Sequence, residues 1–322
     1  MPPNSVTLAD VAARAGVSAI TASRALTAPG KLAAKTHARV LAAMRELGYV
    51  PNLVAGALAS ARTRAVGVLV PTIANSIFAG TVEGMSQTLE PRGYAVLLAQ
   101  SGYDSYREEQ ALAALLAWRP EALVLVGSPE TDTGATMLRR AGIRVVETWV
   151  LPKVPIDAAV GFDNMAVGAA VAKRFIAAGR RRLAYLGGDD VRGMLRFAGF
   201  RRVARDAGVP LPRKVIVSSA GSSDAAAREV PRLGDADAVF TATDAYAAGV
   251  LTGLHAAGRV VPQDVALIGL GDLEIGRHII PPLTTVRIDG WRIGETAAEL
   301  VLSAGTSKVV DVGFEFVVRA SG

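Results

Sequence analysis

The chain has 322 residues, of which 51% are hydrophobic and 20% charged, enough for about two domains of roughly 150 residues with buried cores, which excludes wholesale disorder. It has no cysteine, which removes disulfides, thiolate nucleophiles, iron–sulfur clusters and cysteine-ligated zinc. The net charge is +6, and most of it lies at one end: residues 1–63 hold seven Lys/Arg against two acids, a net of +5, and the remainder carries +1. A small basic head on a nearly neutral body is expected of a nucleic-acid reader with a separate second function; a solvated basic face is the plainer alternative. The three histidines (His37, His255, His278) lack metal-ligand spacing, so neither a metal nor a cofactor is expected. The N-terminus shows no secretory pattern and the apolar runs are strand-length, so a cytoplasmic chain without a membrane span is expected.

Periodicity divides the first fifty residues into three short helices. The first runs over about Leu8–Ala15, with Thr7 at its N-cap and Asp10 three residues on, and with Leu8, Val11, Ala12 and Ala15 on one face. Gly16-Val17 leaves room only for a sharp corner. Ser18 caps the second helix, which runs to about Leu26, and the third spans about Ala34–Leu47 before Gly48. Two short helices around a Gly-containing turn have helix-turn-helix spacing, with the second helix free to enter a major groove. Its outward face reads Ala19, Ile20, Ser23 and Arg24, with Ser18 and Thr21 placed for phosphate, and Thr7 is expected at the DNA with them. Arg24 suits guanine O6/N7 and Ile20 a thymine methyl, while Lys35 and Arg39 of the third helix add backbone contacts.

From Arg64 onward apolar strands alternate with amphipathic helices. Ala65–Val70, Tyr94–Gln100, Ala122–Val126 and Arg144–Val150 read as buried parallel strands, separated by helices such as Phe78–Glu90 and Tyr106–Trp118. The pattern resumes at Leu183–Leu186, Val215–Ser218, Ala238–Thr241 and Val265–Gly269. So many strands predict an α/β core of two parallel-sheet subdomains, with a ligand cleft outside the carboxyl ends of the strands. Gly269-Leu270-Gly271 has its next glycine, Gly276, too far along for a dinucleotide loop.

The run Val6-Thr7-Leu8-Ala9-Asp10-Val11-Ala12, then Ala15-Gly16-Val17-Ser18, Thr21-Ala22-Ser23-Arg24 and Leu47-Gly48-Tyr49-Val50-Pro51-Asn52, resembles the head of the LacI family of transcriptional regulators. The resemblance continues over nearly the whole chain. Within the family, Arg64 to Pro71 with Asn75 and Phe78, Trp118 before Ala122–Leu125, Val145-Val146-Glu147, Ala159–Asn164 and Ala184–Gly187 look most like the gluconate-operon repressors. It implies a helix-turn-helix domain over 1–51, a hinge helix over 52–63 and a periplasmic-binding-protein-like core over 64–322, for effector binding and dimerisation. Crossings between subdomains are implied near Gly161–Asn164, near Asp289 and close to the C-terminus. It further implies a homodimer on a near-palindromic operator in double-stranded DNA, with hinge residues Asn52, Ala55 and Leu58 at the DNA and Leu58 wedging into the minor groove. Leu53 and Gly56 stand where the family often has arginine, and an inert Ala-rich linker is the alternative reading. No heptad repeat follows Val318, so no tetramer-forming tail is expected.

For the cleft, strand ends supply the candidates. Phe78 is placed to stack on a sugar, Gln100, Ser101 and Tyr103 offer hydrogen bonds, and Glu147 accepts from hydroxyls. Asp163 lies at the first crossing, and Thr243, Asp244 and Asp272 complete the ring. By the resemblance, Arg196 holds the effector, a sugar or sugar acid of the gluconate kind, since a guanidinium fork suits a carboxylate or a vicinal diol. The dull alternatives are a helix cap for Asp244, core packing for Phe78 and a surface ion pair for Arg196. Near Gly221 the aromatic that often covers the sugar is missing, and Gly271 replaces a ligand-binding Asp. The whole predicts a ligand-responsive DNA-binding regulator rather than an enzyme. A transporter's solute-binding protein is the alternative, and the basic head and absent signal weigh against it.

Overall fold

Asp10 and Thr7 start the head by satisfying each other. In the computed structural model, which describes residues 6–50, 62–74, 76–217, 222–303 and 308–322, the Thr7 amide donates to Asp10 Oδ2 at 2.8 Å and the Asp10 amide to Thr7 Oγ1 at 3.3 Å. Helix α1 (Leu8–Ala15) then ends at Gly16, whose φ of 60° is open to glycine at little strain. Ser18 Oγ accepts from the Thr21 amide and opens α2 (Ala19–Thr27). Helix α3 (Ala34–Leu47) closes at Gly48, and its N-cap Ala33 provides no side-chain cap. Val11, Ala12, Ala15, Ala22, Ala25, Val40, Ala43 and Met44 form a small separate core. Arg14 reaches Glu46 to tie α1 to α3, and Arg39 donates to the Gly16 carbonyl oxygen.

The chain divides into two units, 1–63 and 64–322. In the second, one six-stranded sheet holds β1 (Ala65–Val70), β2 (Ala95–Gln100), β3 (Ala122–Val126), β4 (Arg144–Thr148), β5 (Ala158–Gly161) and β11 (Lys308–Asp311) in the order β11-β5-β4-β3-β1-β2, all parallel. The other holds β6 (Leu183–Gly187), β7 (Arg213–Ile216), β8 (Ala238–Thr241), β9 (Ala266–Leu270), β10 (Thr284–Arg287) and β12 (Glu315–Val317) in the order β12-β10-β9-β8-β6-β7, with β12 antiparallel to β10. Each sheet thus repeats one doubly wound order, whose carboxyl ends are where ligands bind. Covering helices are α4 (Ala79–Leu89), α5 (Ser105–Ala117), α6 (Asp132–Arg140), α7 (Asn164–Ala177), α8 (Val191–Asp206), α9 (Ser223–Arg228), α10 (Asp244–Ala256), α11 (Glu274–His278) and α12 (Gly290–Leu302). The chain passes between the sheets after β5, after β10 and between β11 and β12.

The central strands are apolar runs buried on both faces, as β1, with every residue buried, shows. The expected strand at Val215–Ser218 begins earlier, at Arg213, and Ser218 lies outside the described residues. An edge strand carries polar residues on its free side, so an apolar run misplaces it. Strands β10, β11 and β12 escape the same template because they contain few consecutive apolar residues. Several helix pairs among the described residues pack through glycine. A β-carbon at Gly168 of α7 would stand 1.8 Å from the Arg196 carbonyl oxygen of α8, and one at Gly199 of α8 would stand 1.9 Å from that of Met165. Gly84 and Gly294 do the same for α4 and α12.

Candidate functional site

The head presents the second helix outward. Ala22 and Ala25 face its core, while Ile20, at 67% exposure, stands free with Ala19 and Arg24 exposed beside it and Ser23 half-buried. The hydroxyls of Ser18 and Thr21 lie 2.9 Å apart, at the start of the helix. Arg24 is the long cationic donor of this face, an arrangement suited to base edges in a major groove. The predicted hinge residues Asn52, Ala55 and Leu58 lie outside the described residues.

Between the two sheets of the second unit lies a cavity of about 310 Å3 at the strands' carboxyl ends, within the range of roughly 300–1,000 Å3 of small-molecule sites. One wall comes from the first subdomain: Ile77, Phe78, Tyr103 and Trp149. Phe78 and Trp149 meet edge to face at 5.1 Å, and the Trp149 indole donates to Thr81 Oγ1 at 3.0 Å. Tyr103 and Trp149 take positive φ values, 59° and 65°, uncommon for non-glycine residues and costing about 1–3 kcal/mol each, which points to a functional demand on these two side chains.

The other wall holds charge. Asp190 caps α8, accepting from the Arg192 and Gly193 amides, and its Oδ1 lies 3.0 Å from Arg192 Nε. Burial pulls the Asp190 carboxyl upward, but Arg192 and Arg196 outweigh it and hold the group below the usual carboxylate range. Arg196 donates to Asn164 Oδ1 at 2.5 Å, and Asn164 in turn donates to the Trp149 carbonyl oxygen at 3.0 Å. A polar chain therefore runs from the aromatic wall through the first crossing to the arginine. Arg192 Nη1 and Arg196 Nε are buried without a hydrogen-bond partner among the described residues. Buried donors of this kind call for an acceptor. Thr243 and Tyr246 add polar groups at the start of α10. Burial pushes the Tyr103 hydroxyl pKa up, so it remains a neutral donor.

Of the predicted cleft residues, Phe78, Tyr103, Arg196 and Thr243 line this cavity. The other six are placed elsewhere, each for a visible reason. Gln100, at the exposed end of β2, accepts from the Ile73 amide. Ser101 borders a neighbouring cavity of about 30 Å3. Glu147 is 2% exposed and accepts from the Ile156 amide, bracing the loop that returns to β5; burial raises its pKa. Asp163 caps α7 through the Ala166 amide and faces solvent. Asp244 is fully buried beneath the site, joining Thr285 Oγ1 and the Leu273 amide, and burial pushes its pKa up to about 6. Asp272 is clamped by Arg319 at 2.5 Å, Arg287 at 2.8 Å and Arg277 at 3.5 Å. The strand-end rule finds the right end of the sheets but not the direction of each side chain. Trp149, Asp190 and Arg192 were missed. Asp190 was legible as a helix cap, and Arg192 stands one helical turn before Arg196, hence on the same face. The position of Gly221 lies outside the described residues, while Trp149 supplies an aromatic cover.

A wider depression of about 710 Å3 opens at the opposite, amino ends of the second sheet's strands. There Arg180 and Arg259 donate to the carbonyl oxygens of Pro262, Gln263, Gly234 and Ala236, so they brace loops.

Comparison with known sequences joins the two units. The profile of bacterial regulatory proteins of the lacI family matches residues 7–52, and that of a periplasmic binding protein-like domain matches residues 172–321. The HTH-type transcriptional regulator GntR of Pseudomonas aeruginosa is 38% identical over 98% of this chain and 95% of its own length. The chain belongs to the LacI family. As a LacI-family member it is a DNA-binding transcriptional regulator, with a helix-turn-helix head and a two-sheet α/β core. A solved LacI-family regulator from Silicibacter pomeroyi superposes with a TM-score of 0.88 at 31% identity, covering 98% of this chain and 99% of that one. A solved CelR–cellobiose complex superposes with a TM-score of 0.71 at 29% identity over 98% of this LacI-family chain and all of the other. No helix among the described residues is long and apolar enough to cross a membrane.

Proposed function

We propose that this regulator binds a near-palindromic operator as a homodimer, inside the cell with the chromosome, and that a sugar acid of the gluconate kind in the 310 Å3 cavity alters operator affinity. The observation that carries the effector reading is that Arg192 and Arg196 line the cavity with the rings of Phe78, Tyr103 and Trp149, and that Arg192 Nη1 and Arg196 Nε are buried without a hydrogen-bond partner among the described residues. Rings suit the apolar faces of a carbohydrate, and guanidinium forks suit a carboxylate. A solved relative is a CelR–cellobiose complex, which supports a carbohydrate as the effector.

The switch follows from linkage. An effector changes operator affinity only by its differential affinity for the two arrangements of the subdomains, and a coupling of about 1–3 kcal/mol gives about a 5- to 150-fold response. Selection from random duplexes followed by gel shift, with and without D-gluconate, tests the reading. A symmetric site whose retention shifts within that range supports it, and a preference-free or gluconate-blind protein refutes it. On the selected site Arg24→Ala should cost about 1–3 kcal/mol at one base pair and relax specificity there; equal loss on random DNA refutes a base-reading role.

A further inference from the structure

We propose that Arg192 is the specificity-determining residue of the effector site, the group that separates a carboxylic acid from its neutral polyol. The inference rests on the sugar-acid reading above. Arg192 belongs to α8 of the second subdomain, and its side chain is 8% exposed. Its guanidinium stands 5.4 Å from the Phe78 ring and 5.8 Å from the Tyr103 ring, both of the first subdomain. Those rings and the Asp190 carboxylate at 3.0 Å hold the fork in one place. Arg192 lines both the main cavity and the neighbouring one of about 30 Å3, which Glu108 and Glu130 border.

A guanidinium carries five donors in a rigid fork. Nε is taken by Asp190, and Nη1 has no partner among the described residues. A carboxylate in the main cavity answers Nη1 with opposite charge as well as an acceptor oxygen, whereas a hydroxyl offers the acceptor oxygen alone. The low-dielectric setting widens that difference, because an under-partnered buried cation is costly. Arg196 differs in which end is committed: its terminal Nη1 donates to Asn164, and the nitrogen without a partner among the described residues is Nε. The single hydrogen on Nε suits a hydroxyl as well as a carboxylate oxygen, so Arg196 holds either ligand, and the choice between them falls to Arg192.

Titration calorimetry on the full chain tests this with D-gluconate and D-glucitol, which differ in carrying a carboxylate or a hydroxymethyl group at C1. The wild-type protein is expected to prefer gluconate by about 100-fold or more, and Arg192→Gln to cut that preference below about tenfold by weakening gluconate alone. An intact preference, or equal loss of both ligands, overturns the assignment of Arg192 while leaving the sugar-acid reading standing. Wild-type protein that binds gluconate no better than glucitol overturns that reading and this inference with it. Should Arg192→Gln fail to fold, Arg192→Met, which keeps the length over the rings without the charge, is read by the same two criteria.

Discussion

The first subdomain presents rings to the cavity, whereas the second presents guanidinium groups and hydroxyls. The two share one winding order and the same glycine-mediated helix packing, so the difference lies in side chains at equivalent strand ends. On the ring wall, Trp149 is held by its neighbours Phe78, Phe162 and Thr81. On the charged wall, Asp190 holds Arg192 and Asn164 holds Arg196, while Arg192 Nη1 and Arg196 Nε have no hydrogen-bond partner among the described residues. Apolar surface supplies affinity without direction, and the buried fork supplies orientation. A site divided this way senses whether its walls are together, because a ligand reaches both kinds of contact only when they are.

The sharpest way to break this comparison is to move one wall. Gly168→Ala would force α7 and α8 apart at the Arg196 carbonyl; overpacking of this kind costs about 1–3 kcal/mol or more, and urea melts with gluconate titration should show the stability loss and the loss of effector binding together. Arg196→Ala should weaken gluconate by about 2–5 kcal/mol, since it removes a buried charged donor and leaves Asn164 Oδ1 unpaired. If calorimetry finds a loss no larger than for Phe78→Ala, the division between the walls fails.

A third test probes the ground beneath the charged wall. The Asp244 carboxyl is raised from 3.8 to about 6 by burial. The folded protein therefore holds a proton there that the unfolded chain gives up, and its stabilising contribution is lost as pH rises from about 4 to about 6. The cost of Asp244→Asn should accordingly shrink by about 2 kcal/mol between about pH 4.5 and about pH 7.5, read from denaturant melts. The Asp190 and Asp272 carboxyls run the other way: burial pulls them up, but their arginine partners win and hold them low. Their stabilisation is present above the ordinary carboxylate range and is lost as pH falls below it, so the two windows are separable. The smallest effect belongs to the ring wall. Thr81→Val should cost about 0.5–1.5 kcal/mol by removing the acceptor of the Trp149 indole; gluconate affinity unchanged in that variant would show that indole placement is set by ring packing alone.

The chain order of the head was legible because its signals are local. A capping box at Thr7 and Asp10, a left-handed glycine at 16 and alanines at helical spacing each act within a few residues, and the structure places α1 at Leu8–Ala15 and α3 at Ala34–Leu47 as the spacing predicts. The central strands were legible for the same reason, since burial on both faces demands an unbroken apolar run. The cleft was legible only in outline. Glu147, Asp244 and Asp272 sit at strand ends as expected, yet pair with Ile156, Thr285, Leu273, Arg287 and Arg319, which are distant in sequence for all but the first. Polar side chains at strand ends find the nearest donor that folding brings, and that donor comes from another strand or a crossing. Sequence alone thus determined the order of elements, the basic head and the end of the sheets that carries the site. Only tertiary packing decided which carboxylates became struts and which arginines were left facing the cavity, because burial and pairing are properties of neighbours that no short window of sequence contains.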